Sequence, residues 1–231
     1  MSDRPVRVAS YNVRGFRDDR TAAARIVRTI DPDVLCLQEA PRWLRAASRI
    51  RRFAAECGMR WVGGHRGSGG TTMLVSGRVV LDRSWHQRLP VAVLQPPRGY
   101  AIARVIPPSG TPLLVASVHL SLHAGERHAH SLRILRALVD PESGDPEPVR
   151  TVVAGDLNEF ESGLAWRLLA SRLPLVSPRV PTFPARRPRA MIDVVFATPD
   201  LRVVPTDPVP LDEDDIVAAS DHRPVWVDLL A

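Results

Sequence analysis

The sequence predicts one domain that combines strands and helices, of the α/β or α+β class. The chain has 231 residues, of which 45% are hydrophobic and 24% charged, and this is the composition of an ordinary globular protein. Short apolar stretches with the pattern of strands are interspersed with stretches of helical periodicity. The length suits one large α/β or sandwich domain, or at most two small ones, and we assign residues 1–231 to a single domain.

The strand-like segments are short and apolar, and turn-forming residues bound them. We predict strands at residues 6–11, 34–38, 71–75, 78–81, 91–94, 100–106, 113–119, 152–154, 192–197 and 225–229. The turn-forming stretch PPSGTP separates residues 100–106 from residues 113–119, which predicts an antiparallel hairpin.

The helical segments carry apolar residues three and four apart. We predict helices at residues 18–30, 43–58, 126–139 and 161–173. Asp18 or Asp19 is suited to cap the first helix, and Gly58 is suited to end the second. We predict that the proline-rich stretch 141–148 and the acidic stretch 205–215 are exposed loops.

Some classes of protein are excluded by composition. The sequence contains no apolar run long enough to span a bilayer, and its first residues lack the apolar core of a signal peptide. Cys36 and Cys57 are the only cysteines, so a disulfide framework is not expected. We expect a cytoplasmic monomer with no membrane anchor.

The charge of the chain has two interpretations. The net charge is +6, the estimated pI is 10.7, and all 31 basic residues are arginine. The planar guanidinium group binds phosphate oxygens bidentately, which favours a phosphate-containing partner. A GC-rich genome also favours arginine codons, and the arginines are spread along the whole sequence.

The stretch VVAGDLNEF illustrates a pattern that recurs at the ends of the predicted strands. If the extended geometry persisted past Gly155, Asp156 and Asn158 would point to the same side. Gly, Asp and Asn also form turns, so a simple turn is the alternative. The polar residues in such positions are Asn12, Glu39, His119, Asp156, Asn158, Asp193, Asp221 and His222.

This set of side chains favours phosphate-ester chemistry. Its carboxylate and amide oxygens suit Mg²⁺ or Mn²⁺, whereas Zn²⁺ would call for more histidine or cysteine. A metal ion neutralises charge, a carboxylate orients water and an imidazolium stabilises the oxyanion that forms.

Six motifs, namely SYNVRGF, DVLCLQE, SVHLS, VVAGDLNEF, MIDVVF and ASDHRPV, follow one another in this order over residues 11–224. Together they resemble the endonuclease/exonuclease/phosphatase superfamily, which includes deoxyribonuclease I-like nucleases, exonuclease III-like abasic endonucleases, inositol phosphate 5-phosphatases and neutral sphingomyelinases. The resemblance implies two mixed β-sheets packed face to face as a sandwich, with helices on the outer faces. It also implies a divalent-metal-dependent hydrolase that cleaves phosphate esters.

The resemblance implies a metal site. Glu39 would be the main ligand of Mg²⁺ or Mn²⁺, with Asn12 beside it and Asp221 close to the metal, directly or through water. A solvated carboxylate after a strand is the alternative for Glu39. Apart from the resemblance, the position of Arg186, Arg187 and Arg189 just before Ile192 suits the mouth of a substrate site, and plain surface charge is the equal alternative for them.

The resemblance also implies roles in catalysis. Asp156 would orient or deprotonate the attacking water, and Asn158 would hold the water or a phosphate oxygen. His222 would contact the scissile phosphate, while Asp193 would fix its tautomer and raise its pKa. His119 would be a second histidine on the phosphate side, with a satisfied core histidine as the alternative.

Other features of the sequence have simpler interpretations. We expect the glycine-rich stretch GGHRGSGG to be a flexible loop. We expect the tryptophans to pack rather than to stack on nucleic-acid bases. These tryptophans are Trp43, Trp61, Trp85, Trp166 and Trp226.

The substrate is less well determined than the reaction. Abasic endonucleases of the superfamily usually have an Asn-Gly step in the first motif and a lysine after the second, but here the motifs read NVRG and LQEAP. The positive net charge favours nucleic acid or a nucleotide as the substrate. The alternatives are a phosphoesterase for small molecules or lipid headgroups, resembling sphingomyelinases or inositol phosphatases, and a non-catalytic nucleic-acid-binding protein.

Overall fold

The computed structural model describes residues 4–139, 150–205 and 207–230. The strands are β1 Val6–Asn12, β2 Val34–Gln38, β3 Arg60–Trp61, β4 Thr72–Val75, β5 Val80–Leu89, β6 Arg98–Ile106, β7 Leu113–His119, β8 Arg150–Asp156, β9 Asp193–Ala197, β10 Arg202–Val204 and β11 Val225–Leu230. The helices are α1 Arg20–Ile30, α2 Ala46–Glu56, α3 Ala124–Ala137, α4 Leu164–Ala170 and α5 Glu213–Ala219. The predicted loop at 141–148 lies outside the described residues.

The strands form two mixed sheets, which confirms the predicted fold class. The six-stranded sheet has the order β10-β11-β1-β2-β4-β3, and the five-stranded sheet has the order β5-β6-β7-β8-β9. In each sheet one central pair is parallel, namely β1 with β2 and β7 with β8. Strands β6 and β7 are antiparallel neighbours, as the hairpin prediction required.

The two sheets pack face to face, and helices cover their outer faces. Val8 and Val34 from the first sheet meet Val115 from the second in the central core. On the outer side of the first sheet, Tyr11 packs with residues of α1 and α2. Val118 of the second sheet packs in the same way against α3 and α4. Because alternate residues of a strand face opposite ways, each central strand serves two cores.

A short polar chain links the two sheets inside this otherwise apolar interior. Ser10 donates to Gln38 Oε1 over 3.2 Å, and Gln38 Nε2 donates to Ser117 Oγ over 3.2 Å. All three side chains are fully buried. Since buried polar groups are costly unless they are bonded, this chain fixes the register of one sheet against the other.

Some predicted elements need correction. Residues 91–94 form no strand, because they lie in the connection from β5 to β6, where Leu94 is 97% exposed. The acidic stretch 205–215 is not entirely a loop, because Asp212 caps α5 by accepting from the backbone N–H groups of Asp214 and Asp215. The stretch GGHRGSGG is not an open loop, because its last glycines are buried. Among the described residues, no helix is both long enough and apolar enough to cross a membrane.

Gly155 has a structural role that its place before Asp156 does not reveal. A Cβ atom at this position would lie 2.0 Å from the carbonyl oxygen of Val118 on the neighbouring strand β7. We expect Gly155→Ala to lower the free energy of unfolding by about 1–3 kcal/mol or more, because the parallel strands would have to separate. Urea unfolding of the variant beside Gly125→Ala, where a Cβ meets nothing within 4 Å, tests this. Equal stability of the two variants would contradict it.

Candidate active site

The topology brings the polar strand ends together at one end of the sandwich. Strands β1 and β2 are parallel, so Asn12 and Glu39 lie at the same edge. Strands β7 and β8 are also parallel, and His119 is the register partner of Asp156. Strand β9 runs antiparallel to β8, which places its first residue, Asp193, opposite Asp156.

The sixth motif reaches the same end from the first sheet. Strand β11 runs antiparallel to β1, and Ser220 to His222 immediately precede it. The Ser220 hydroxyl donates to the backbone carbonyl of Asn12 over 2.6 Å, and it accepts from the backbone N–H of His222. This double contact fixes the approach of His222 to the end of β1.

Asp156 is the centre of the group. It is 1% exposed, and its Oδ2 atom lies 3.1 Å from Asn12 Nδ2, 3.5 Å from His119 Nε2 and 3.8 Å from His222 Nε2. Burial, and then the nearby charge of Asp193, raises the pKa of the Asp156 carboxyl. A carboxylate with a raised pKa is a stronger base than one in water.

His222 is held by a buried carboxylate. Its Nδ1 atom lies 2.9 Å from Asp193 Oδ2, which also accepts a 2.6 Å bond from the Thr182 hydroxyl. The ring of Phe183 packs on the imidazole with the centroids 4.8 Å apart. Burial alone would lower the pKa of His222, but the charge and hydrogen bond of Asp193 raise it to about 9. The imidazole is therefore charged at neutral pH, with Nε2 directed at Asp156.

The Asp193–His222 contact carries a prediction about activity. We expect Asp193→Asn to lower kcat by about 10²-fold or more, because the amide can no longer hold the imidazolium form. Steady-state kinetics of Asp193→Asn, His222→Ala and the double variant test this coupling. If Asp193 acts through His222, the double variant is no slower than His222→Ala, whereas multiplied losses would contradict the positioning role.

Glu39 and His119 lie on the other side of Asp156. Glu39 has a left-handed backbone with φ of 53°, and its side chain is 39% exposed. Its Oε1 atom lies 4.0 Å from His119 Nε2 and 3.4 Å from Asn12 Nδ2. His119 Nε2 is buried and has no hydrogen-bond partner among the described residues. Burial, and then the charge of Arg98, holds the pKa of His119 well below its usual value, so this imidazole is neutral.

Asn158 does not continue the strand as the extended alternative required. Strand β8 ends at Asp156, and Asn158 has a left-handed φ of 49°. Its backbone N–H donates to Asp156 Oδ1, and its Nδ2 atom donates to the carbonyl of Leu120 over 3.1 Å. The turn reading of VVAGDLNEF is therefore correct for the backbone, and the turn itself holds Asp156.

The two remaining predicted site residues, Asp221 and Arg189, have other partners. Asp221 is paired with Arg14, with Nε and Oδ2 3.3 Å apart, and its side chain is 36% exposed. Arg189 is exposed in the segment before β9, and its backbone N–H donates to the carbonyl of Phe183.

Two groups of side chains could hold a metal ion. Ligand atoms of Asp156, Asp193 and His222 all lie within 4.8 Å of one another. In that group Asp193 and His222 already bond to each other, whereas Glu39 keeps a partly exposed carboxylate beside the amide of Asn12. Glu39 is the more accessible carboxylate, and its oxygen atoms suit a hard divalent cation. The Asn12 amide presents Nδ2 to Glu39, and its Oδ1 atom accepts from the backbone N–H of Arg14 over 3.1 Å.

Comparisons with known proteins assign the chain to a family. The sequence model of the Endonuclease/Exonuclease/phosphatase family matches residues 9–222. The chain belongs to this family. The match includes every one of the polar strand-end residues described above. No curated protein sequence matches the chain significantly.

Solved structures with the same fold have diverse names. A mannosyl-6-phosphatase of Bacteroides thetaiotaomicron is 19% identical with a TM-score of 0.77, covering 98% of this chain and 100% of that one. The catalytic domain of human Nocturnin with bound sulfate is 19% identical with a TM-score of 0.74, covering 97% and 94%. An endonuclease/exonuclease/phosphatase of Beutenbergia cavernae is 24% identical with a TM-score of 0.70, covering 98% and 72%. These similarities establish the family fold.

Several residues of this candidate site could not be recognised in the sequence. Thr182 and Phe183, which contact Asp193 and His222, lie in a proline-containing segment with no strand or helix pattern. Arg14 is only one of many arginines, and its partner Asp221 is more than 200 positions away. Pairings of this kind depend on tertiary structure and leave no local signal.

Proposed function

We propose that the protein is a divalent-metal-dependent hydrolase of phosphate esters, a phosphodiesterase or nuclease that acts on nucleic acid or nucleotides. One observation carries this proposal. Asn12, His119 and His222 surround the buried Asp156 carboxylate at distances of 3.1–3.8 Å, at the accessible end of the sandwich. This arrangement combines a base, Asp156, with the charged imidazole of His222 and the neutral side chains of Asn12 and His119. Such a set of groups suits the attack of water on a phosphorus atom.

The residues present fit a divalent cation such as Mg²⁺ or Mn²⁺. Glu39 would be the main ligand, with Asn12 beside it, and Asp221 would contribute directly or through water. Among the described residues, no arginine forms an ion pair with the partly exposed Glu39 carboxylate, and the neutral His119 imidazole lies 4.0 Å from it. When bound, such a cation neutralises phosphate charge and acidifies water.

Side chains of the protein supply proton transfer and stabilise the negative charge that develops on the phosphate. Asp156 accepts a proton from the attacking water. As it does so, the oxygen of the water bonds to phosphorus and the ester P–O bond breaks. His222, charged and held by Asp193, stabilises the negative charge on the phosphoryl oxygens. His119 lies beside Asp156, its Nε2 atom has no hydrogen-bond partner among the described residues, and this atom would contact the phosphate or the leaving group. The backbone N–H of Asn158 donates to Asp156 and orients its carboxylate.

The substrate class rests on charge. A net charge of +6, in a chain whose basic residues are all arginine, favours a polyanionic substrate. We propose that the exposed Arg189, in the segment before β9, lies at the mouth of the site. A small-molecule or lipid-headgroup ester is the second candidate, because one structural relative is named a mannosyl-6-phosphatase. A monomer in the cytoplasm completes the proposal.

A substrate panel tests the proposal. Purified protein is incubated with single- and double-stranded DNA, RNA, abasic DNA, sphingomyelin, inositol phosphates and a generic phosphodiester, each with Mg²⁺, Mn²⁺ or EDTA. We expect metal-dependent cleavage of nucleic acid or nucleotides. Cleavage confined to sphingomyelin or inositol phosphates would support the second candidate. Metal-independent nucleic-acid binding without any cleavage would contradict an enzymatic role.

A further inference from the structure

A pocket of about 400 Å³ opens directly beside Glu39 and His119. The loop after β2, the start of β6 and the loop after β7 line it, and a volume of this size accommodates part of a small-molecule ligand. Its charged lining is strongly asymmetric. Four arginines face one carboxylate, Glu39, and these arginines are Arg17, Arg42, Arg49 and Arg98.

One of these arginines, Arg98, is buried and another, Arg42, is half-buried, and neither has a counter-ion among the described residues. Arg98 is 7% exposed, and its Nε atom donates to the carbonyl of Leu120 over 2.9 Å. Arg42 Nη1 is buried and has no hydrogen-bond partner. Within the part of the chain that the structure describes, neither guanidinium has a carboxylate in ion-pair contact. Burial lowers the pKa of both groups, which reflects the cost of placing cations away from water.

The backbone around the pocket is fitted to these arginines. Gly70 has a φ of +97°, and a Cβ there would lie 3.0 Å from Arg42 Cδ. Gly69 has a φ of +67°, and a Cβ there would lie 2.9 Å from the backbone of Pro97, next to Arg98. The end of GGHRGSGG therefore allows both arginines to pack closely, and only glycine tolerates this geometry without strain.

Trp43 marks the outer rim of the pocket. It is 80% exposed, so the expectation that every tryptophan packs in the interior is wrong for this residue. The Arg42 guanidinium lies 5.9 Å from the centroid of its ring. A flat aromatic surface next to a cation suits a base attached to a phosphate.

We propose that this arginine pocket is a subsite for a second phosphate group of the substrate, next to the phosphate that is cleaved. The inference rests on the proposed function and narrows its substrate class to phosphate esters that carry another phosphate. The buried Arg98 guanidinium and the half-buried Arg42 guanidinium have no carboxylate partner among the described residues, and both would gain charge-assisted bonds to such a group. Because the exposed ring of Trp43 can stack on a base, we expect the second phosphate to belong to a nucleotide and not to an inositol polyphosphate.

Binding of inorganic pyrophosphate tests the subsite without catalysis. In calorimetry with EDTA present, we expect Arg42→Gln to weaken pyrophosphate binding about tenfold or more, because a charge-assisted contact is lost. The control is Arg172→Gln, an exposed arginine at the end of α4, which should bind as the wild type does. Equal affinity of Arg42→Gln and wild type would overturn the proposal, and thermal melting checks that both variants are folded.

Kinetics test the subsite in the working enzyme. The values of kcat/KM are compared for a dinucleotide with and without a 5′-phosphate, and for inositol 1,4-bisphosphate against inositol 1-phosphate. We expect about a tenfold preference for the doubly phosphorylated member in the nucleotide pair, and a ratio near one in Arg42→Gln. A preference in the inositol pair alone would support the subsite and would show that its second phosphate belongs to an inositol phosphate. Ratios near one in the wild type would overturn the subsite, whereas failure to cleave any ester would overturn the proposed function and leave the pyrophosphate result as the test.

Discussion

His222→Ala is expected to lower kcat by about 10²–10⁴-fold, which is the range for a positioned acid–base or oxyanion-stabilising group. His222 Nε2 lies 3.8 Å from Asp156 Oδ2, while Nδ1 is held at 2.9 Å by Asp193. With its pKa raised to about 9, the ring is an imidazolium at neutral pH. The variant removes the buried positive charge that faces the Asp156 carboxylate from the Asp193 side.

The structure offers a matched control for this substitution. His86 is exposed on β5, and His86→Ala should retain the wild-type kcat. Thr182 still donates to Asp193 in His222→Ala, so the site keeps one partner for this buried carboxylate. Thermal melting of both variants separates lost chemistry from lost folding. A fall in substrate affinity with unchanged kcat would contradict the role of His222 in the transition state.

Removal of divalent metal is expected to abolish activity, and Mg²⁺ or Mn²⁺ should restore it. Glu39→Gln should raise the half-saturating metal concentration about tenfold or more, since the carboxylate is the main anionic ligand in the proposed site. Mg²⁺ should also raise the melting temperature of the wild type but much less that of Glu39→Gln, because a cation that binds the folded state stabilises it.

The control for the metal experiment is another exposed carboxylate. Glu161 pairs with Arg179 on the surface, and Glu161→Gln should have the metal requirement of the wild type. Full activity of the wild type in EDTA would contradict the proposed requirement for a divalent metal ion. An identical metal requirement in Glu39→Gln would show that the metal is held elsewhere, and Asp156, Asp193 and His222 are the other group able to hold it.

The strand ends could be predicted from the sequence because local patterns encode them. Asn12 and Glu39 each follow an apolar stretch directly, and parallel pairing of β1 and β2 then brings these ends to one edge. The order of six motifs indicated the family, and the family match confirms it. The cap at Asp19 was also recognisable, because its side chain accepts from the first backbone N–H groups of α1.

Other features depended on contacts that the sequence does not express. The stretch VAVL looked like a strand, but Val93 is 88% exposed, and no strand in the described part of the chain pairs with this stretch. Helix α5 was hidden in an acidic, proline-containing stretch, although the Asp212 cap and the buried Ile216 provided a usable signal. The arginine pocket was not predicted, because the burial of Arg98 and the lack of a carboxylate partner for Arg42 and Arg98 among the described residues depend on tertiary structure and not on residue type.

The most direct test of the central claim is hydrolysis of bis(p-nitrophenyl) phosphate with Mg²⁺ by three proteins: the wild type, Asp156→Asn and Asp200→Asn. Asp200 is an exposed carboxylate paired with Arg150, so its substitution serves as the control. We predict metal-dependent release of p-nitrophenol by the wild type and Asp200→Asn, and a rate at least about 10³-fold lower for Asp156→Asn. Release by Asp156→Asn at the wild-type rate would contradict the assignment of this site.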